Sequence, residues 1–250
     1  MEKLKEKELT AFIETIIEVF HKRRIESLGE ISLKRILQRK NPYLFRAKNI
    51  ITAEELVRGI LDAHLSSQEE AIFGTVLESL AVYVAGKVYQ GKKSSSEGID
   101  LEFEANDVLY LVSIKSGPNW GNSSQLARMR DNFKRARKIL GTNTAKRNIA
   151  CVNGCCYGRT GHAEQGDYLK LCGKEFWKLI SGSDTLFLEI IKPLGFKAKE
   201  KNELFQADYA AAINKFVREF TVEYCDDDGR ILWEKIIKLN SCREQCDAGN

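Results

Sequence analysis

Asp100, Glu102, Ser113 and Lys115 fall within one short stretch, Glu97 to Gly117, and their types and spacing could do chemistry. The stretch opens Glu97-Gly98-Ile99-Asp100-Leu101-Glu102-Phe103-Glu104 and turns at Ala105, Asn106 and Asp107. It continues as Val108-Leu109-Tyr110-Leu111-Val112-Ser113-Ile114-Lys115-Ser116-Gly117. Both arms are short, rich in β-branched or aromatic residues and bounded by turn residues, which predicts a β-hairpin. Side chains alternate along a strand, so Asp100 and Glu102 share one face while Leu101 and Phe103 take the other. Ser113 and Lys115 share a face of the second arm, after Leu109 and Leu111. A lysine at the end of an apolar strand is costly to bury without a partner, and the carboxylates of the facing arm are the natural partners. Carboxylates that hold Mg²⁺, with a lysine that orients or polarises an attacking water, are the parts of a metal-dependent phosphodiesterase. The same spacing also describes a surface hairpin with ordinary ion pairs, and spacing alone leaves both readings open.

Two flanking stretches bear on this choice. Between Ala71 and Gly86 the only charged residue is Glu78, whose helical neighbours Gly74, Thr75, Ala81 and Val82 are small or uncharged. A lone carboxylate in that setting needs a metal, a lysine or a buried donor. After Lys115 comes Ser116-Gly117-Pro118-Asn119-Trp120-Gly121-Asn122-Ser123-Ser124-Gln125, a small and polar loop around one tryptophan. Its glycines permit close backbone approach to a ligand; an ordinary connection whose tryptophan caps the core fits the composition equally well. The loop leads into a helix over about Ser123 to Leu140 that carries Arg128, Arg130, Lys134, Arg135, Arg137 and Lys138, with Lys146 and Arg147 beyond it. This densest basic region offers a surface for phosphates, or a solvated helix face.

The elements that must position these residues alternate helix and strand. Residues 4 to 27 carry Leu9, Phe12, Ile13, Ile16, Ile17 and Phe20 at helical spacing, and Ser32 to Gln38 is a second, shorter helix. Asn41-Pro42 signals a turn, followed by the aromatic and basic mixture Tyr43 to Lys48. Thr52 is a predicted N-cap with Glu55 in the capping-box position, opening a third helix, and Ser67 to Val88 is a longer fourth. Asn148 to Tyr157 reads as a buried strand and Tyr168 to Gly173 as another. Ala207 to Glu223 is an amphipathic helix, Asp226 to Gly229 a turn and Arg230 to Leu239 the last helix. Helix, hairpin, helix, strand makes an α/β core. The expected organisation is a helical N-terminal region over 1–66, a core over 67–181 and a helical C-terminal region over 182–250, packed as one compact unit.

A chain of 250 residues can bury a sizeable core. The formal charge of +4 is too small to name a nucleic-acid partner by itself. No apolar run is expected to reach the length of a membrane span. The charged stretch Met1 to Glu8 lacks the apolar centre of an export signal, so a cytoplasmic protein is expected. Seven cysteines without an export signal predict free thiols. Adjacent Cys155 and Cys156 on a strand suit zinc poorly, the three histidines are scattered, and Cys242 and Cys246 are spaced for one helical face.

The hairpin resembles the PD-(D/E)XK nuclease superfamily, and more narrowly type II restriction endonucleases of the PmeII and EcoO type. The likeness rests on Gly98-Ile99-Asp100 and on the long run from Ser113 to Gln125, the more specific of the two. It extends over Asn41-Pro42-Tyr43-Leu44-Phe45, Gly154-Cys155-Cys156-Tyr157-Gly158 and Gly173-Lys174-Glu175-Phe176-Trp177, thus over roughly residues 41 to 180. The resemblance implies a restriction-endonuclease-like core, a mixed central sheet flanked by helices, with helical N- and C-terminal parts. It implies that Asp100 binds Mg²⁺ and that Lys115 is the catalytic lysine. The sequence departs from the motif two residues before the lysine, where Asp or Glu is expected and Ser113 stands. Glu78 is the favoured replacement, because the superfamily often draws a glutamate from the helix before the hairpin. Glu102 is the second choice, and Ser113 itself remains a candidate through its hydroxyl or a water.

The implied activity is Mg²⁺-dependent, sequence-specific hydrolysis of double-stranded DNA by a homodimer, with no small-molecule cofactor. Asn119, Trp120, Asn122, Ser123, Ser124, Gln125, Arg128, Arg130 and Lys134 would approach the DNA. A repair or structure-specific nuclease of the same fold, or a DNA-binding protein with a degenerate site, are the rival expectations.

Overall fold

A computed structural model of the chain describes residues 4–143 and 148–242. Met1, Lys146, Arg147 and Cys246, which figure in the sequence reading, lie outside the described residues. The elements run α1 (Glu6–Gly29), α2 (Leu33–Arg39), α3 (Pro42–Ala47), α4 (Ala53–Tyr89), β1 (Leu101–Ala105), β2 (Val108–Lys115), α5 (Ser123–Asn143), β3 (Asn148–Cys155) and β4 (Leu169–Cys172). They end with α6 (Lys174–Ser181), α7 (Leu186–Glu189), α8 (Ile191–Leu194), α9 (Ala198–Tyr224) and α10 (Trp233–Ser241).

The four strands form one mixed sheet in the order β1-β2-β3-β4. β1 and β2 pair antiparallel, Leu101 opposite Val112 through Ala105 opposite Val108. Only Asn106 and Asp107 remain for the turn, and both hold left-handed φ of 51° and 60°, as a two-residue hairpin loop demands. α5 carries the chain over to β3, which lies parallel to β2 with Ser113 beside Asn153 and Lys115 beside Cys155. β4 follows parallel to β3. The mixed α/β core with helical parts on either side is thus as expected.

Strand alternation sorts the core into two layers. Leu101, Phe103, Val112, Ile114 and Val152 pack with Leu77, Leu80, Ala81 and Val84 of α4, Leu9 and Ile13 of α1 and Phe176, Trp177 and Ile180 of α6. Ile99, Leu109, Leu111 and Cys151 face the other way, onto Met129, Phe133 and Ala136 of α5. Burying one such leucine stabilises the fold by about 2 kcal/mol, so slipping the hairpin by one residue would turn its entire apolar face out of the core.

Contacts divide the chain into two compact units. One takes the chain up to Phe20 together with Phe73–Phe196, and holds the sheet. The other takes His21–Ile72 and the chain from Lys197 on, around Leu33, Ile36, Leu56, Ile60 and Leu61 with Phe205, Phe216, Phe220 and Ile236. α1 and α4 contribute to both.

Local structure departs from the sequence reading at several places. The third and fourth expected helices are one continuous α4, and Asn41-Pro42 starts α3 instead of a turn. α9 begins well before Ala207, and α10 begins after Ile231 and Leu232. Cys242 stands just past α10 in extended backbone. By length and composition α4 is also apolar enough to cross a bilayer, against the expectation of no such run. Core helices meet the same criteria, and its residues Leu80, Ala81, Val84 and Ala85 are fully buried against the sheet.

Candidate active site

The ladder between β1 and β2 leaves a polar corner at its open end. Asp100, just ahead of β1, donates its backbone N–H to the Val112 carbonyl at 2.9 Å. The next free donor on β2 is the Ile114 N–H, and it is taken by the Asp100 carboxylate, Oδ2, at 2.6 Å. A backbone donor without a strand partner is thereby satisfied, and the carboxylate is fixed in direction. The Ser113 hydroxyl reaches the same oxygen at 3.5 Å and the Lys115 Nζ at 3.8 Å. The three contacts converge on Oδ2 and leave Oδ1 for another ligand. The structure therefore brings Asp100, Ser113 and Lys115 together on one sheet face, as alternation predicts. Two residues before Asp100, Gly98 holds φ +74°, and a Cβ there would stand 1.9 Å from the Asn132 amide.

The Asp100 carboxyl is pushed above its usual range. Burial is the main cause and the Glu78 charge adds to it, while Lys115, the Ile114 N–H and Lys93 act in the opposite sense. A half-buried carboxylate held near a second one is a pair that favours a cation between them. Both donors are hard oxygens, which suits Mg²⁺, an ion that keeps several waters or phosphate oxygens in its shell. The residues thus fit such an ion, which Asp100 and Glu78 could hold. Among the described residues no group of three or more His, Cys, Asp or Glu gathers as a larger metal cluster.

Glu102 shares the strand face with Asp100 but is otherwise engaged. Its Oε1 pairs with Lys92 Nζ at 3.2 Å and its Oε2 accepts from the Ser94 hydroxyl at 3.2 Å. The backbones of Lys92 and Glu102 also exchange both hydrogen bonds, at 2.9 Å each. Among the described residues Glu78 pairs with the exposed Lys93, through Oε1 at 3.3 Å.

The loop after Lys115 is fixed from outside. Lys170 Nζ donates to the Pro118 carbonyl at 2.8 Å, and Gly117 lies so close to Tyr157 that a Cβ would be 2.3 Å from its ring. Asn122 and Gln125 bond reciprocally, backbone to side chain, at 3.0 Å each, which is a capping box at the start of α5. Trp120 is half-buried, with the Lys115 ammonium 5.1 Å from its ring centroid. Asn119, Ser123, Ser124 and Lys134 are exposed. Arg128 pairs with Glu97 at 3.2 Å, and the Arg130 guanidinium lies 5.7 Å from the Tyr168 ring centroid.

Two residues at this corner were not found by sequence reasoning. Asn153, beside Ser113 on β3, is fully buried, and its Nδ2 has no hydrogen-bond partner. The signal available was an amide inside an otherwise apolar strand. Lys170 was read only as part of β4, and its hold on the loop is non-local. Cys155 is a neutral thiol: burial first, then Cys172, pushes it up to about 12.

A family model described as "Type II restriction endonuclease EcoO109I" matches residues 7–202. No curated protein matches the chain. The match spans most of the sequence and takes in the hairpin, the lysine, the anchored loop and the whole sheet. The chain belongs to the type II restriction endonuclease EcoO109I family.

Proposed function

We propose that this protein is a Mg²⁺-dependent, site-specific deoxyribonuclease that cuts double-stranded DNA to leave 5′-phosphate and 3′-hydroxyl ends. The observation that carries the reading is the corner itself: an ammonium 3.8 Å from a half-buried carboxylate that has an open oxygen and feels a second carboxylate. Asp100 and Glu78 are the ligands for the ion. When bound, Mg²⁺ supplies charge stabilisation on the phosphoryl and leaving oxygens and lowers the pKa of a bound water. Lys115 orients the attacking water and balances charge on the pentacoordinate phosphorus. The water oxygen forms the new bond to phosphorus and gives up a proton to solvent, the bond to the 3′ oxygen breaks, and that oxygen takes a proton from solvent and leaves as the hydroxyl. Ser113, 2% exposed, supports Asp100 from beside it.

We assign Asn119, Ser123, Ser124 and Lys134, which are exposed, to contact with the DNA. α5 opens without an acidic residue in its first turn, so the positive end of its dipole favours a phosphate. We further propose a homodimer, whose two-fold axis would match a palindromic site, working in the cytoplasm.

The test is cleavage of unmethylated phage DNA with Mg²⁺ and with EDTA, resolved on a gel. Discrete Mg²⁺-dependent fragments are expected, and Lys115→Ala should lower the rate by about 10²–10⁴-fold while DNA binding persists. A smear would favour a non-specific or structure-specific nuclease. Intact DNA from several sources would favour a degenerate site, with Ser113 as the reason. Sedimentation of the protein with and without DNA tests the dimer.

A further inference from the structure

Lysine is a flexible four-carbon stem with a point charge at its end, so a catalytic lysine at an open sheet corner needs something to keep its ammonium in place. Asp100 supplies one hold, at 3.8 Å. The second is aromatic: the Lys115 Nζ lies 5.1 Å from the centroid of the Trp120 ring, within the range over which a ring face attracts a cation. The orientation of the indole fits this use. Its polar edge is turned inward, with Nε1 buried and unpartnered, while its ring packs beside the apolar layer under α5. What it presents to the site is its face. An unpartnered buried N–H is an unfavourable arrangement, and it persists because the loop is pinned on both sides of the tryptophan. Lys170 holds the Pro118 carbonyl on one side and the Asn122–Gln125 capping box closes the other.

We propose that Trp120 is a positioning residue for Lys115, an aromatic shelf that keeps the ammonium beside Asp100, and not a contact to DNA. This rests on the nuclease reading for its kinetic consequence, and on the geometry alone for the contact. The distinction matters because a half-buried tryptophan in a loop next to a nuclease site would ordinarily be assigned to stacking on a base.

Two variants and one spectrum test it. Trp120→Leu keeps an apolar side chain without a π face, and Trp120→Phe keeps the face. Single-turnover cleavage at saturating enzyme with Mg²⁺ should slow roughly 5- to 30-fold in Trp120→Leu and stay near wild type in Trp120→Phe. DNA affinity measured in EDTA should stay unchanged in both. An affinity loss with an unchanged saturated rate would make Trp120 a DNA contact and overturn the proposal. Equal slowing in Leu and Phe would reduce it to packing, and no slowing in either would also overturn it. Independently of cleavage, the Lys115 Cε protons, assigned with Lys115→Arg, should be shifted upfield by the ring in the DNA-free protein. That shift should vanish in Trp120→Leu. Its absence from the wild type would overturn the contact; its presence in a protein that cuts no DNA would support the contact while the nuclease reading failed.

Discussion

Glu78 and Glu102 stand in opposite circumstances at the same corner. Glu102 comes from the strand beside Asp100 and shares its face, yet both of its oxygens are occupied, by Lys92 and Ser94, and its backbone is bridged to Lys92 as well. Glu78 comes from α4, many residues upstream, yet its charge adds to the raising of Asp100, and among the described residues its ion pair is with one exposed lysine through Oε1. Face alternation says which side chains point the same way. It does not say which of them is already satisfied. A carboxylate with both oxygens engaged has little left for a cation, whereas one that raises its neighbour's pKa is relieved when a cation arrives.

The largest expected effect follows from that contrast. Glu78→Gln should lower Mg²⁺-dependent cleavage by about 10²–10³-fold, the scale for removing one charge from the group that stabilises a reacting phosphate. Glu102→Gln should change the rate little and act mainly on stability, by about 0.5–1 kcal/mol through the Lys92 and Ser94 contacts. The check is a single-turnover rate against Mg²⁺ concentration, paired with a denaturant melt for each variant. The reverse ranking would move the second ligand to the hairpin.

A smaller effect probes Asp100 through stability. Its folded-state pKa is raised, chiefly by burial. A raised acid favours the folded state at pH below its unfolded value and loses that advantage as pH climbs through the folded value. At neutral pH without metal the charged Asp100 is therefore a cost. Asp100→Asn keeps an acceptor for the Ile114 N–H, so it should melt a few degrees higher than wild type at pH 7 in EDTA, while cutting no DNA. The gap should close as pH falls below the ordinary aspartate range. Mg²⁺ should raise the melting temperature of the wild type and leave that of the variant where it was. A variant that melts lower at pH 7 would mean that the contacts of Asp100 outweigh its burial.

Much of this corner was legible in the sequence because it is built locally. Asn106-Asp107 tolerate the left-handed turn, alternation sets the faces, and Asp100 meets Lys115 as a consequence. What was illegible has particular causes. Ser67 looked like a helix boundary, but its hydroxyl bonds back to the Ala63 carbonyl at 3.1 Å and the helix continues. Asn41-Pro42 looked like a turn, but Asn41 caps the Tyr43 and Leu44 amides and Pro42 takes the first helical position. The charged start of α9 hid its length, since Lys199 and Glu203 support that helix from its surface at 3.9 Å. Asn122 and Gln125 carry a capping signature as well as a place beside the site. The hold of Lys170 on Pro118 spans distant parts of the chain and leaves no local mark. The partner state of Glu102 depended on where Lys92 and Ser94 fold back, which periodicity does not specify.

The same difference between satisfied and unsatisfied polar groups extends across the sheet to Asn153, where the expected effect is smallest. Asn153 has no exposed surface, its Oδ1 accepts from the Cys155 thiol at 3.9 Å, and its Nδ2 has no partner among the described residues. Leaving a buried amide donor unpaired costs about 1–3 kcal/mol. Valine removes the amide and suits a strand, so Asn153→Val should raise stability by about 1 kcal/mol, or the melting temperature by roughly 2–4 °C in a chain of this size. The comparison is with Glu102→Gln, which breaks a satisfied group and should move the melt the other way. If Asn153→Val instead melts lower, the amide has a partner in solution, such as a buried water shared with Ser113, and the polar corner extends one strand further than Asp100 and Lys115. A cleavage assay on the same variant then separates the cases: an unchanged rate leaves Asn153 as a tolerated defect of the core, and a slowed rate in a stable protein ties it to the alignment of Ser113 and Asp100.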